Sequence, residues 1–212
     1  MNNSIPDQRD FWNRRHGNEL EEDRDVNPFA ILAEQSFQPH SKVLDLGCGR
    51  ASDAVYFASK GHSVLATDFS ETVIDHNKKT LSNSGVDFQV FDLRQSLPAG
   101  SESFDAVYSS LSLHYFGDKI TKGIFSEIHR VLKTGATFAF SCKSVNDQHY
   151  GEGSEIEKNV FISPKGYLRH FFSESYVKEL LADGFEIDLL EEVQEDYVGE
   201  DSHIIHCIAR KL

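Results

Sequence analysis

The chain has 212 residues with 34 acidic against 21 basic side chains, a formal net charge of −13, and no Lys/Arg-rich run to offset it. A field of that sign repels nucleic acid and anionic membranes, so neither is expected as a partner. A length of this order suits one mixed α/β domain that buries both faces of a sheet.

The N-terminal stretch MNNSIPDQRDFWNRRHG has no apolar secretion-signal core and no run long enough to span a bilayer. Cys48, Cys142 and Cys207 are odd in number and far apart, with no C-x-x-C pair, which reads as reduced thiols. A cytoplasmic protein is expected. Residues 1–40, with the polar run Asn18 to Asn27, are expected to form an N-terminal helical segment or lid ahead of a domain over residues 41–212.

From Lys42 onward apolar segments alternate with helical periods, the pattern of a parallel sheet covered on both faces. Strands are expected at Lys42 to Leu46, Ser63 to Thr67, Asp87 to Val90, Phe104 to Tyr108, Thr137 to Ser141, Phe185 to Leu190 and His203 to Arg210, a sheet of seven. Ala51, Ala54, Val55 and Ala58 form one helical stripe, and Ile120, Ile124, Phe125, Ile128 and Leu132 a stronger one. A further helix over Ser173 to Asp183 has Ser173 as N-cap and Gly184 just past its end. Ser144 to Pro164 reads as a long polar loop, and the insertion 144–172 as a lid.

The stretch KVLDLGCGRASDAV turns from a strand into a helix through Gly47 and Gly49. Such a turn lets backbone approach a ligand closely and leaves helix N–H groups free. A dinucleotide fingerprint would have glycine where Ser52 stands. Asp45, two residues before Gly47, would place a negative charge against a pyrophosphate and favours a cation instead. S-adenosylmethionine carries a sulfonium and an ammonium and no phosphate, so it suits this turn better than NAD. Asp68 ends the second strand, where a carboxylate accepts from ribose hydroxyls. Asp92 and Leu93 follow the third strand, placed for an adenine.

The motifs DLGCGRAS, VLATDFS, FQVFDL, FDAVYSSLSLHYF and IHRVLKTGATFAF, in this order, resemble a class I S-adenosylmethionine-dependent methyltransferase. The resemblance implies a Rossmann-like, doubly wound α/β sheet of seven strands, mostly parallel with an antiparallel last strand. It implies an enzyme that methylates a small molecule at a sulfur, selenium, tellurium, nitrogen or oxygen nucleophile. The methionine part would lie at Asp45, Gly47 and Gly49, the ribose at Asp68 and the adenine at Phe69, Asp92 and Leu93, with Cys48 and Ser109 completing the cofactor set. Ala51 stands where many members have a third glycine, and Thr134 where they have proline.

Other residues carry two readings. His114 and Tyr115 either close the cofactor pocket or face the substrate. Trp12 is either packed on the core edge or, as the resemblance implies, part of a lid. Arg169-His170-Phe171-Phe172 resembles a run in methyltransferases of the tellurite-resistance group, where the polar pair faces the substrate; His114, Arg169 and His170 are thus the candidate catalytic side chains. Tyr115 and Lys119 match the Y-x-x-x-K of short-chain dehydrogenases, but Gly117 interrupts the helix that pattern requires. Magnesium is not expected, because Ser109, Ser110 and Ser141 stand where metal-dependent relatives need acids. The alternatives are a non-catalytic S-adenosylmethionine-binding sensor or partner subunit, and a NAD-dependent oxidoreductase, which Asp45 and Ser52 disfavour.

Overall fold

A computed structural model describes residues 8–19, 25–197 and 200–212. The polar run Asn18 to Asn27 therefore lies partly outside the described residues. Two helices, α1 (Arg9–Glu19) and α2 (Pro28–Glu34), precede β1 (Lys42–Leu46), α3 (Ser52–Ser59), β2 (Ser63–Asp68), α4 (Glu71–Thr80), β3 (Val86–Val90) and β4 (Phe104–Ser110). A single 3₁₀ turn at Leu113–Tyr115 leads into α5 (Asp118–Val131) and β5 (Leu132–Lys143). Three short strands follow, β6 (Ser154–Glu157), β7 (Val160–Ile162) and β8 (Leu168–His170), then α6 (Glu174–Leu181), β9 (Phe185–Tyr197) and β10 (Glu200–Lys211).

The main sheet has seven strands in the order β3-β2-β1-β4-β5-β10-β9. β10 runs antiparallel to both its neighbours, and the pairings from β3 to β5 are parallel. This is the expected doubly wound Rossmann-like sheet. In β1 every residue after Lys42 is buried, because helices cover both faces of a parallel sheet. On one face Phe125, Ile128, Phe138, Phe140, Phe172 and Val177 form a core cluster. Phe125 of α5 stands edge-on to Phe138 and Phe140 at centroid distances of 5.3 and 5.2 Å. On the other face Phe29 of α2 and Phe57 of α3 pack around Val43 and Tyr108. Strand order reverses direction between β1 and β4, and the crevice beyond their C-terminal ends is where ligands collect in open sheets of this kind.

Besides α4, for which no helix was expected, the elements differ from the sequence expectations in three places. β5 begins at Leu132 rather than Thr137, since α5 passes directly into a strand whose exposed Lys133-Thr134-Gly135 stretch coincides with a register shift against β4. β9 and β10 extend well beyond their apolar runs, because β9 is the sheet edge and polar residues such as Glu192 and Gln194 are tolerated there. Ser144 to Pro164 is not one long loop. It contributes β6 and β7 to a separate three-stranded antiparallel sheet with β8, held by Phe161, Phe171 and Tyr150 packed edge to face. Phe172 then returns to the end of β5 through hydrogen bonds with Lys143 O and Val145 N. No helix among the described residues is long and apolar enough to cross a membrane.

Candidate functional site

A cavity of about 520 Å³ opens over the C-terminal ends of β1, β2 and β4. Its floor is the glycine turn. Gly47 has φ +75°, and a Cβ there would come within 2.5 Å of the Ser112 Cβ; glycine is required on both counts. The Gly47 and Cys48 N–H groups donate to Thr67 O at 2.7 and 2.9 Å. Ala51 also sits in the left-handed region, at φ 63°, which explains the glycine commonly found there. Here a methyl group buried in the core offsets the roughly 1–2 kcal/mol cost of that backbone.

Four carboxylates surround the turn. Asp68, at the end of β2, accepts from Gly49 N at 3.1 Å and from Ser70 N at 2.9 Å, so it fixes the turn as well as facing the cavity. Asp53, in the first turn of α3, accepts from Tyr108 Oη at 2.8 Å and Asn27 N at 2.9 Å. Burial keeps its carboxyl above the usual range against the pull of those donors. Asp45 is only 2% exposed. Burial first, then the charges of Asp53 and Asp68, hold it well above the ordinary carboxylate range. Asp92 behaves oppositely: partial burial raises it, but the Arg94 hydrogen bonds and the charges of Arg94 and Arg9 bring it below its usual value.

The opposite wall is built from the 3₁₀ turn, α1 and β8. Gln8 joins them, donating to Tyr115 O at 3.3 Å and accepting from Leu168 N at 3.1 Å. Trp12 meets Tyr115 at a centroid distance of 4.6 Å. His114 is 1% exposed. Burial, followed by the charges of Arg169, Lys143 and His170, drives its imidazole well below the usual range, so it is neutral at physiological pH.

Asp45, Gly47, Cys48, Gly49, Asp68, Phe69, Asp92, Leu93, Trp12, His114, Tyr115 and Arg169 all border the cavity. Ser109 and His170 do not. Ser109 is fully buried and donates to Leu46 O at 2.9 Å, pinning β4 to β1 behind the turn. His170 follows Arg169 on β8 and so points to the other side of that strand, where its Nδ1 donates to Phe116 O at 3.1 Å and its ring packs on Phe172 and Tyr176. The expectation that Arg169 and His170 form a pair toward a substrate fails on strand alternation.

Sequence reasoning passed over Asp53, Ser112, Tyr167 and Asn77. Asn77 of α4 donates to Gly49 O at 2.8 Å and supports the turn from below. Leu111 lies beside Ser112 at φ 50°, held by Ser141 O and Oγ at 3.0 and 3.2 Å. Asp53 alone had a sequence signal, an acid in the first turn of the helix that follows the glycines.

Residues 43–135 match the family described as a methyltransferase domain. A methyltransferase of Synechocystis sp. described as uncharacterized is 35% identical over 108 residues, 51% of this chain and 50% of that protein. The chain thus spans about half the length of such a curated relative. The solved structure of a SAM-dependent methyltransferase from Methanosarcina mazei superposes with a TM-score of 0.77 at 26% identity, covering 89% of this chain and 99% of that one. The 1,6-didemethyltoxoflavin-N1-methyltransferase of Burkholderia thailandensis, solved with S-adenosylhomocysteine, shares the fold at a TM-score of 0.75 and 20% identity, over 96% of this chain and 86% of that one. Residues 43–135 are thus similar to a methyltransferase domain, on a fold shared with solved SAM-dependent methyltransferases.

Proposed function

We propose that this chain transfers a methyl group from S-adenosylmethionine to a small-molecule acceptor. One observation carries the reading: the charged groups that bear on the buried Asp45 are carboxylates, Asp53 and Asp68, in a cavity floored by a glycine turn. Such a carboxylate calls for a cation, and the ammonium and sulfonium of S-adenosylmethionine provide one where a pyrophosphate would be repelled.

When bound, S-adenosylmethionine supplies a methyl group on a cationic sulfur, which an acceptor takes by in-line displacement. Asp45 would hold the methionine ammonium and Gly47 would admit its backbone closely. Asp68 would accept from the ribose hydroxyls while keeping its bond to Gly49 N. Phe69, Asp92 and Leu93 would frame the adenine. Alignment of the two reactants alone supplies a rate factor worth about 7–11 kcal/mol. His114, neutral and beside the acceptor space, is placed to accept a proton from a hydroxyl or amine nucleophile. Helix α1 and the 144–172 insertion act as the lid that excludes water.

The wall beyond the cofactor residues favours an enzyme over a sensor, which needs no second pocket. Screening thiols, selenite, tellurite, amines and phenols for S-adenosylhomocysteine production tests this. At least one acceptor class is expected to be consumed. Cofactor binding with no turnover across the whole panel would favour the non-catalytic reading.

A further inference from the structure

The wall of the cavity built by β8 holds a cation with no acidic partner among the described residues. Arg169 borders the cavity, and no carboxylate lies within ion-pairing distance of it among the described residues, in a chain of net charge −13. Lys143, which also borders the cavity, is different: its ammonium is paired with Asp147 at 2.9 Å and contacts Ser202. The Arg169 guanidinium lies over the rings of Tyr167 and Phe171, 5.2 and 5.8 Å from their centroids. One terminal nitrogen donates to Tyr167 Oη at 2.6 Å. Its Nε is buried with no hydrogen-bond partner. So is Nδ1 of His114, a side chain only 1% exposed. A buried polar atom left unmet costs about 1–3 kcal/mol, and both belong to side chains that border the cavity.

The surrounding surface is aromatic. Tyr115 packs on Trp12 at 4.6 Å, on His114 at 4.3 Å and on Tyr167 at 6.0 Å between centroids. Flat rings favour a flat ligand that stacks or stands edge-on. Besides the nitrogen that donates to Tyr167 Oη, the guanidinium has further N–H donors, which suit a carboxylate-like group.

We propose that this end of the cavity is an acceptor subsite for a flat, conjugated anion, with Arg169 holding the charged oxygens and Trp12, Tyr115 and Tyr167 framing the ring. The inference rests on the methyl-transfer reading and adds the acceptor's charge and shape to it.

Trp12 is the only tryptophan in the chain, so its fluorescence reports on the subsite directly. Protein is first saturated with S-adenosylhomocysteine, followed by calorimetry, and then titrated with benzoate, benzamide and benzylamine while Trp12 emission is followed. Benzoate is expected to bind roughly tenfold or more tighter than benzamide, with benzylamine weakest, the usual reach of a charge-assisted hydrogen bond. Arg169→Gln should abolish the preference for benzoate while S-adenosylhomocysteine affinity stays unchanged, and Arg169→Lys should restore only part of it. Benzoate binding no tighter than benzamide, or a preference that persists in Arg169→Gln, overturns the anionic subsite and leaves the methyltransferase reading intact. A protein that takes up no S-adenosylhomocysteine in the first step overturns both.

Discussion

Asp45 is placed where its charge costs the empty protein stability. Its folded pKa is raised by burial and by Asp53 and Asp68, above the roughly 3.9 of an unfolded aspartate. Between those two values the native state binds more protons than the unfolded chain, so ligand-free stability falls as pH rises through that window. Asp45→Asn should therefore raise the thermal midpoint of the ligand-free protein at neutral pH. The same change should weaken S-adenosylmethionine binding by about 1.5–3 kcal/mol, the worth of hydrogen bonds to a charged group. Calorimetry and melting on one preparation measure both; a destabilised variant would mean that Asp45 has a cationic partner in the folded chain. Asp68 differs, since it also accepts from the Gly49 and Ser70 N–H groups. Asp68→Ala should lower cofactor affinity by about 1–3 kcal/mol and stability as well. At Gly47 the outcome is simpler: alanine meets both the left-handed backbone and Ser112, and a loss of about 1–3 kcal/mol in chemical unfolding is expected.

At the scale of elements, the parallel strands were legible because their apolar runs are continuous, as in Lys42 to Leu46 and Phe104 to Tyr108. The acids at the ends of the first three strands were legible for the same reason, since a carboxylate that ends such a run has only the crevice to face. The insertion after β5 was not. Its strands are three or four residues long and mostly polar, and their order comes from a cluster of Tyr150, Phe161 and Phe171 that a periodicity search over neighbouring residues does not see. The same blindness placed His170 beside Arg169 as a pair, when alternation along β8 sends them to opposite sides. Phe161→Ala, which opens that aromatic cluster, should raise amide exchange across residues 154–170 while β1, β4 and β5 stay protected. Uniform loss of protection over the main sheet would mean that the three-stranded sheet is part of the global folding unit.

For the molecule as a whole, three buried histidines, His114, His170 and His206, shape the response to acid. Burial lowers His170 to about 4 against its hydrogen bond to Phe116 O, and burial lowers His206, stacked on Phe29 at 4.3 Å, to about 4 as well. An unfolded histidine titrates near 6.5. The unfolded chain thus binds more protons between pH 6.5 and 4, and stability that is complete above about pH 6.5 is lost as pH falls through that range. Urea midpoints at successive pH values should show the decline, and His170→Gln should flatten it; an equal slope in that variant would remove His170 as a cause. The large phenylalanine core opposes this loss. Phe125→Ala, which leaves a hole against Phe138 and Phe140, should cost about 3–5 kcal/mol at any pH.

Cofactor choice is the point from which the rest of the function follows, and it is settled most directly by calorimetric titration of the wild-type protein with S-adenosylmethionine, S-adenosylhomocysteine and NAD. The acidic floor of the cavity predicts micromolar binding of the first two, roughly −8 kcal/mol, and no measurable heat from NAD. Binding of NAD in the same range, or failure of both methyl-cycle ligands to bind, would contradict the role assigned to Asp45 and the glycine turn.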